Sequence, residues 1–138
     1  MFRAVKALFL KKPAPELRHP ELGVLIFDSD LWSGKVQHDG RDIPFVVGGT
    51  ALGPNPILLD RLRNLLAGFR DVEVKAVHFL CPQEAPVSPS EFRFHSVDFL
   101  WPDRPDCFVM EFTFEGDVWA IWRVEFNEGE PKYTGRDS

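Results

Sequence analysis

The 138-residue chain has a single tyrosine, two cysteines and no long apolar run. Each shortage excludes something. No stretch approaches the roughly 20 apolar residues of a membrane-spanning helix. The N-terminal segment carries Arg3, but its longest apolar run, Ala7 to Leu10, is too short for the core of a signal peptide. Cytoplasmic placement is the expectation. Cys81 and Cys107 lie far apart, form no CxxC motif and read as reduced, packed residues. The formal net charge is −5, and there is no basic block beyond Lys11 and Lys12. Nucleic acid and anionic membrane are therefore set aside as partners. There is no GxGxxG, no Gly-Lys-Ser/Thr and no serine on a nucleophile elbow. No cofactor is expected.

What the chain does have is phenylalanine. Thirteen Phe and four Trp against one Tyr favour apolar packing over a tyrosine-rich recognition surface. A single domain of this size buries roughly 70% of the surface its unfolded form exposes, so it folds without a disulfide or metal. Pro13, Pro15 and Pro20 mark an extended linker, and "CPQEAPVSPSE", Cys81 to Glu91, marks a second proline-rich break. Between and after them lie a β meander over about residues 22–48, a helical middle over about 56–81 and C-terminal strands over about 92–126.

The meander is the clearest part. Asp39-Gly40 between two alternating runs is a strong hairpin signal. A two-residue turn pairs His38 with Arg41, and the count outward sets Val36 against Ile43, Gly34 against Phe45 and Trp32 against Val47. The strand Gly23 to Phe27 joins through Asp28-Ser29-Asp30. Asn55 then reads as an N-cap with Pro56 at the first helical position, and Leu58, Leu59, Leu62, Leu65, Leu66 and Phe69 follow at helical spacing. Val72 to Leu80, with Asp71 as its cap, is open between helix and strand.

Three further strands are expected, at Phe92 to Leu100, Cys107 to Phe114 and Val118 to Phe126. In the first, the apolar phase switches between Phe94 and Val97, which calls for a bulge near His95 and Ser96. A three-residue loop at Glu115-Gly116-Asp117 would pair Phe112 with Ala120, Met110 with Trp122 and Phe108 with Val124. Trp122 then belongs to the core, while Trp119 and Ile121 face the other way beside Glu111 and Arg123. That exposed pair with a charged rim has the composition of a protein-binding hot spot. Burial under another part of the chain is the competing reading.

Other constellations are weaker. The loop Val47 to Pro56 sits where anions bind, yet its glycines read better as turns. His78 and Cys81 make half a metal site, and His19, His38, His95 and Cys107 offer no second half. Asp28, Asp30, Asp39 and Asp42 read as solvated turn residues rather than a calcium loop. His95 and Asp98 are the best acid–base pair by residue type, but three residues apart on a regular strand they point to opposite faces.

"HPELGVLIFDSDLWSGKV" has a His-Pro-x-x-Gly start, a strand and a Trp-x-Gly. A Leu-rich helix follows, then Phe- and Trp-rich strands running out towards Gly135. In this order the chain resembles bacterial proteins of the domain-of-unknown-function 2262 type over roughly His19 to Gly135. The resemblance implies a bacterial, cytosolic α+β protein and carries over no catalytic residues.

The expectation is an α+β domain, a largely antiparallel sheet of about six strands with one or two helices on one face. The leading function is a non-enzymatic module that binds another protein, such as an immunity-type inhibitor, through Trp119, Ile121, Glu111 and Arg123. A small hydrolase or ligand-binding enzyme using His95 and Asp98 is the alternative. A homodimer subunit that buries the Trp119 face is a third.

Overall fold

The structure is a computed structural model that describes residues 14–83 and 88–137. The expectations at Arg3, Ala7 to Leu10, Lys11, Lys12 and Pro13, and the middle of the second proline-rich break, lie outside these residues. The chain runs β1 (Glu16–His19), β2 (Gly23–Asp28), β3 (Leu31–His38), β4 (Arg41–Thr50), β5 (Gly53–Pro54), α1 (Pro56–Ala67), α2 (Phe69–Gln83), β6 (Phe92–Phe99), β7 (Cys107–Phe114), β8 (Ile121–Asn127) and β9 (Glu130–Asp137). The sheet order is β1-β2-β3-β4-β6-β7-β8-β9, with β5 paired to β4. Only β4 and β6 run parallel, and the two helices form the crossover between them. The fold is α+β with a mostly antiparallel sheet.

The sheet has nine strands rather than about six. The additional ones carry little apolar alternation. Glu16–His19, read from its prolines as linker, pairs with β2. Glu130–Asp137 reads EPKYTGRD and pairs with β8 after a turn at Glu128 and Gly129, both at positive φ. Such edge strands are held by backbone hydrogen bonds, so their sequences need not show a buried face.

The β3–β4 hairpin has the expected register, with Val36 opposite Ile43, Gly34 opposite Phe45 and Trp32 opposite Val47. Asp39 and Gly40 sit at φ 49° and 77°, as a type I′ turn requires. Ser29 and Asp30 make a second left-handed turn of the same length. The Asn55 side chain accepts hydrogen bonds from the Ile57 and Leu58 amides, which occupies the start of α1. The segment left open between helix and strand is helical and starts at Phe69, two residues before Asp71. It also carries on through Cys81 to Gln83, into the segment read as a break.

Both helices pack on the same sheet face. Their Leu58, Leu62, Leu65, Leu66, Phe69, Ala76 and Leu80 join Trp32, Ile43, Phe45, Val47, Val97, Phe99, Met110, Phe112 and Phe126 in one core. Arg41 ties the hairpin to α2 through a two-pronged bond to Glu73 and lies over the Phe69 and Phe94 rings. Among the described residues no helix is long and apolar enough to cross a membrane.

Gly34 lets the hairpin bend over this core. A β-carbon there would lie 2.8 Å from Phe45 Cζ and 3.1 Å from the Val24 carbonyl oxygen. Phe45 is fully buried and has nowhere to go. Gly34→Ala should therefore lower stability by about 1–3 kcal/mol, the usual cost of overpacking. Urea unfolding of the two proteins measures this. A change below about 0.5 kcal/mol would mean that the ring is not held as described.

Candidate functional site

Among the described residues no helix packs on the other sheet face. What stands on it follows from one irregularity in β6. Phe94 pairs with Phe112 and Ser96 with Glu111, so His95 is an extra, bulged residue. The bulge keeps Phe92, Phe94, Val97 and Phe99 on the helix side and turns Ser96 and Asp98 outward. Register across the sheet then sets Asp98 beside Val46 and Val109, Glu111 beside Arg123, and Glu125 beside Val109 and Tyr133.

All of these but Val46 line a cleft of about 360 Å³. Asp98, Glu111, Arg123, Glu125 and Asp137 supply its charged groups, and Leu100, Trp101, Val109 and Tyr133 its apolar and aromatic ones. The Arg104 guanidinium lies over the Trp101 ring, 4.5 Å from its centre. Gly135 gives the Arg123 guanidinium room to lie flat, since a β-carbon there would be 3.2 Å from Nη2. Arg123 Nη2 donates to Asp137 Oδ1 at 3.1 Å.

The floor of the cleft is a carboxyl pair. Asp98 is only 7% exposed. Ser96 Oγ lies 3.0 Å from Asp98 Oδ1 and 2.9 Å from Glu111 Oε1. One hydroxyl proton serves only one of the two carboxyl groups at a time, and a proton held between them serves the other. Burial pushes the Asp98 carboxyl up to about 8, helped by its hydrogen bond to Glu111 and the Glu111 charge, and opposed by Ser96. The hydrogen bond from Asp98 lowers Glu111, as do Ser96, His95 and Arg123, while burial acts the other way. We assign the proton to Asp98, which is the more deeply buried and the farther from cationic help. Near neutral pH the pair is one acid and one carboxylate.

His95 and Asp98 are thus not a hydrogen-bonded acid–base pair. His95 is exposed and acts through space on Glu111. The structure joins Asp98 to Glu111 instead, two residues that the sequence placed in separate hypotheses. Of the four residues expected to bind a partner, Glu111 and Arg123 stand side by side in the cleft. Ile121 is half-buried beside Asp137 rather than exposed.

Trp119 is 86% exposed, but it is not on a strand. Glu115 to Asp117 form a 3-10 turn, Val118 continues it in helical conformation, and β8 begins only at Ile121. Phe112 consequently pairs with Trp122, Met110 with Val124 and Phe108 with Phe126, two residues later than the three-residue loop would give. A slip of two keeps every side chain on its face. Trp122 therefore still points to the core, half-buried against Phe92. The longer loop fits because the bare backbone of Gly116 lies on the Phe114 ring, where a β-carbon would be 2.5 Å from Cζ. Arg136 closes the turn with two hydrogen bonds to Asp117, at 2.6 and 3.0 Å, and this lowers the Asp117 carboxyl.

Ser96, Trp101, Glu125, Tyr133 and Asp137 were not singled out from sequence. The first and third were readable, because the bulge and the β7–β8 alternation put them on the polar face. Tyr133 and Asp137 belong to the strand that shows no alternation. Among the described residues no three His, Cys, Asp or Glu side chains converge as a metal site. His78 is exposed on α2, and Cys81 is half-buried with its thiol pushed up by burial. No family model, curated protein or solved structure matches the chain.

The Asp98 proton has a consequence for stability. A carboxyl raised to about 8 holds a proton in the folded state that the unfolded chain has already lost, so stability falls as pH rises from about 4 to about 8. The slope from this group is on the order of 1 kcal/mol per pH unit, offset in part at the acid end by Glu111. Asp98→Asn removes it. Thermal melts from about pH 5 to 9 should show the mutant gaining on the wild type as pH rises. Parallel curves would contradict the assignment of the proton.

Proposed function

We propose that this protein is a non-enzymatic module that binds another protein through the sheet face opposite the helices and the adjoining Trp119 turn. The observation that carries this reading is Trp119 itself. An indole held in water by a turn that Arg136 and Asp117 fix is an apolar anchor already in place for a contact. Val118 is exposed beside it. Trp119 is two residues from Ile121, which pairs with Asp137 at one end of the cleft, so the anchor adjoins the polar site. Carboxylates outnumber cations in the cleft and the chain carries a net charge of −5, so a partner with a basic contact surface is complementary. An immunity-type inhibitor that masks such a surface is one form this module takes.

The alternative, a small hydrolase or ligand-binding enzyme, draws support from Asp98, a neutral acid in a cleft near physiological pH. Among the described residues it has no histidine-activated hydroxyl. The Ser96 hydroxyl is committed between the two carboxyl groups, and His95 reaches neither it nor Asp98 in any hydrogen bond among the described residues.

Selection from a random peptide display library tests the proposal. It should enrich sequences that bind the wild type and are recovered uncleaved. Trp119→Ala should melt within about 2 °C of the wild type, since an exposed ring contributes little to folding. It should weaken the selected peptides at least about tenfold, the loss of an anchor worth roughly 1.4 kcal/mol or more. Failure to enrich any sequence, or binding unaffected by the mutation, would overturn the reading. A wild type that elutes as a dimer while Trp119→Ala elutes as a monomer would assign the face to self-association instead.

A further inference from the structure

We propose that the cleft is the specificity pocket of this binding face and takes one arginine or lysine side chain of the partner onto the Asp98–Glu111 pair. The inference deepens the protein-binding reading and rests on it. Shape, charge and chemistry point the same way. Glu111, Glu125 and Asp137 face the single guanidinium of Arg123 in the cleft lining, and Asp137 already engages it. Acidic side chains therefore outnumber basic ones along the cleft, which favours a cationic occupant. The walls are Leu100, Val109, Trp101 and Tyr133, apolar and aromatic surface of the kind that the aliphatic stem of a long basic side chain covers while its head reaches a polar floor. A bare divalent cation would find no three convergent ligands here among the described residues. A neutral ligand would gain nothing from the excess of carboxylates over cations along the cleft.

The shared proton makes the site selective for charge. An arriving cation takes up the role that the proton now plays between the two carboxyl groups. Asp98 then ionises, its O–H bond breaks, and the proton leaves to solvent. The groups facing the pair are His95 on the β6 bulge, Glu111 on β7, Arg123 and Glu125 on β8, and Tyr133 and Asp137 on β9; from β4 the neighbour is Val46, which is apolar. Within the pair, Asp98 is the carboxyl raised to about 8. Below that pH each cation bound must expel about one proton, so affinity should rise about tenfold per pH unit and level off above it.

The probe is the blocked tripeptide Gly-Arg-Gly, with its citrulline analogue as a neutral twin of the same shape. Amide shifts of isotope-labelled protein are followed by NMR at several pH values. The arginine peptide should move the Glu111, Arg123 and Gly135 amides saturably, and the citrulline peptide should not. The apparent dissociation constant should fall about tenfold between about pH 6 and 7. Asp98→Asn, which keeps the shape of the pair, should bind with a dissociation constant that does not change over that interval. Equal binding of the two peptides, shifts confined to another surface, or pH-independent binding by the wild type would each overturn the proposal. The two proposals fail separately. Arginine binding in the cleft with selected peptides indifferent to Trp119 would leave the pocket and remove the protein-docking face. Trp119-dependent peptides that leave the cleft amides unmoved would do the reverse.

Discussion

One extra residue in β6 decides what the two faces of this sheet are. Without the His95 bulge, the Phe92–Phe94 phase would continue to Ser96 and Asp98 and bury both under the helices, while Val97 and Phe99 would face water. The bulge lets all four apolar side chains stay on the helix side and delivers Ser96 and Asp98 to the opposite side. The core and the cleft are thus two results of the same irregularity. Bulges recur where a sheet must re-aim a side chain, and here the re-aimed chain is the buried acid on which the cleft is centred.

The division of labour between the faces follows from it. The helix side is almost wholly apolar, with ring pairs such as Phe99–Phe108 and Phe108–Phe126 stacked through it. The opposite side buries Asp98 and Ser96 as well as Cys107 and Val109, with no helical layer over them among the described residues. A buried carboxyl survives there because it is neutral. Its partner carboxylate survives because Arg123, His95 and the acid itself support its charge. That arrangement satisfies the free protein and still presents carboxyl oxygens to an incoming cation.

Much of this was legible in the chain. The β3–β4 register, the Asn55 cap and the bulge near His95 were each readable because a local rule with one strong solution governed them: a type I′ turn, a side-chain acceptor, a phase switch. The edge strands were not, since Glu16–His19 and Glu130–Asp137 pair through their backbones and show no apolar alternation. The β7–β8 loop was misjudged by three residues, because the apolar pattern from Phe108 to Phe114 matches β8 equally well at a slip of two. The packing of Gly116 on Phe114 and the Arg136–Asp117 bonds accompany the observed register. The pairing of Asp98 with Glu111 required bulge and register together, and neither alone brings them into contact.

Everything said of the cleft depends on a carboxyl pair that holds one proton at neutral pH. The most direct measurement is a pH titration of the side-chain carboxyl carbons by NMR in protein labelled at aspartate and glutamate. The account predicts that the Asp98 carbon keeps the shift of a protonated acid through neutral pH and titrates near 8, while the Glu111 carbon is already that of a carboxylate at moderately acid pH. Two carbons that both titrate near the ordinary carboxylate value of about 4 would mean that no proton is shared and that the cleft is a fully ionised surface.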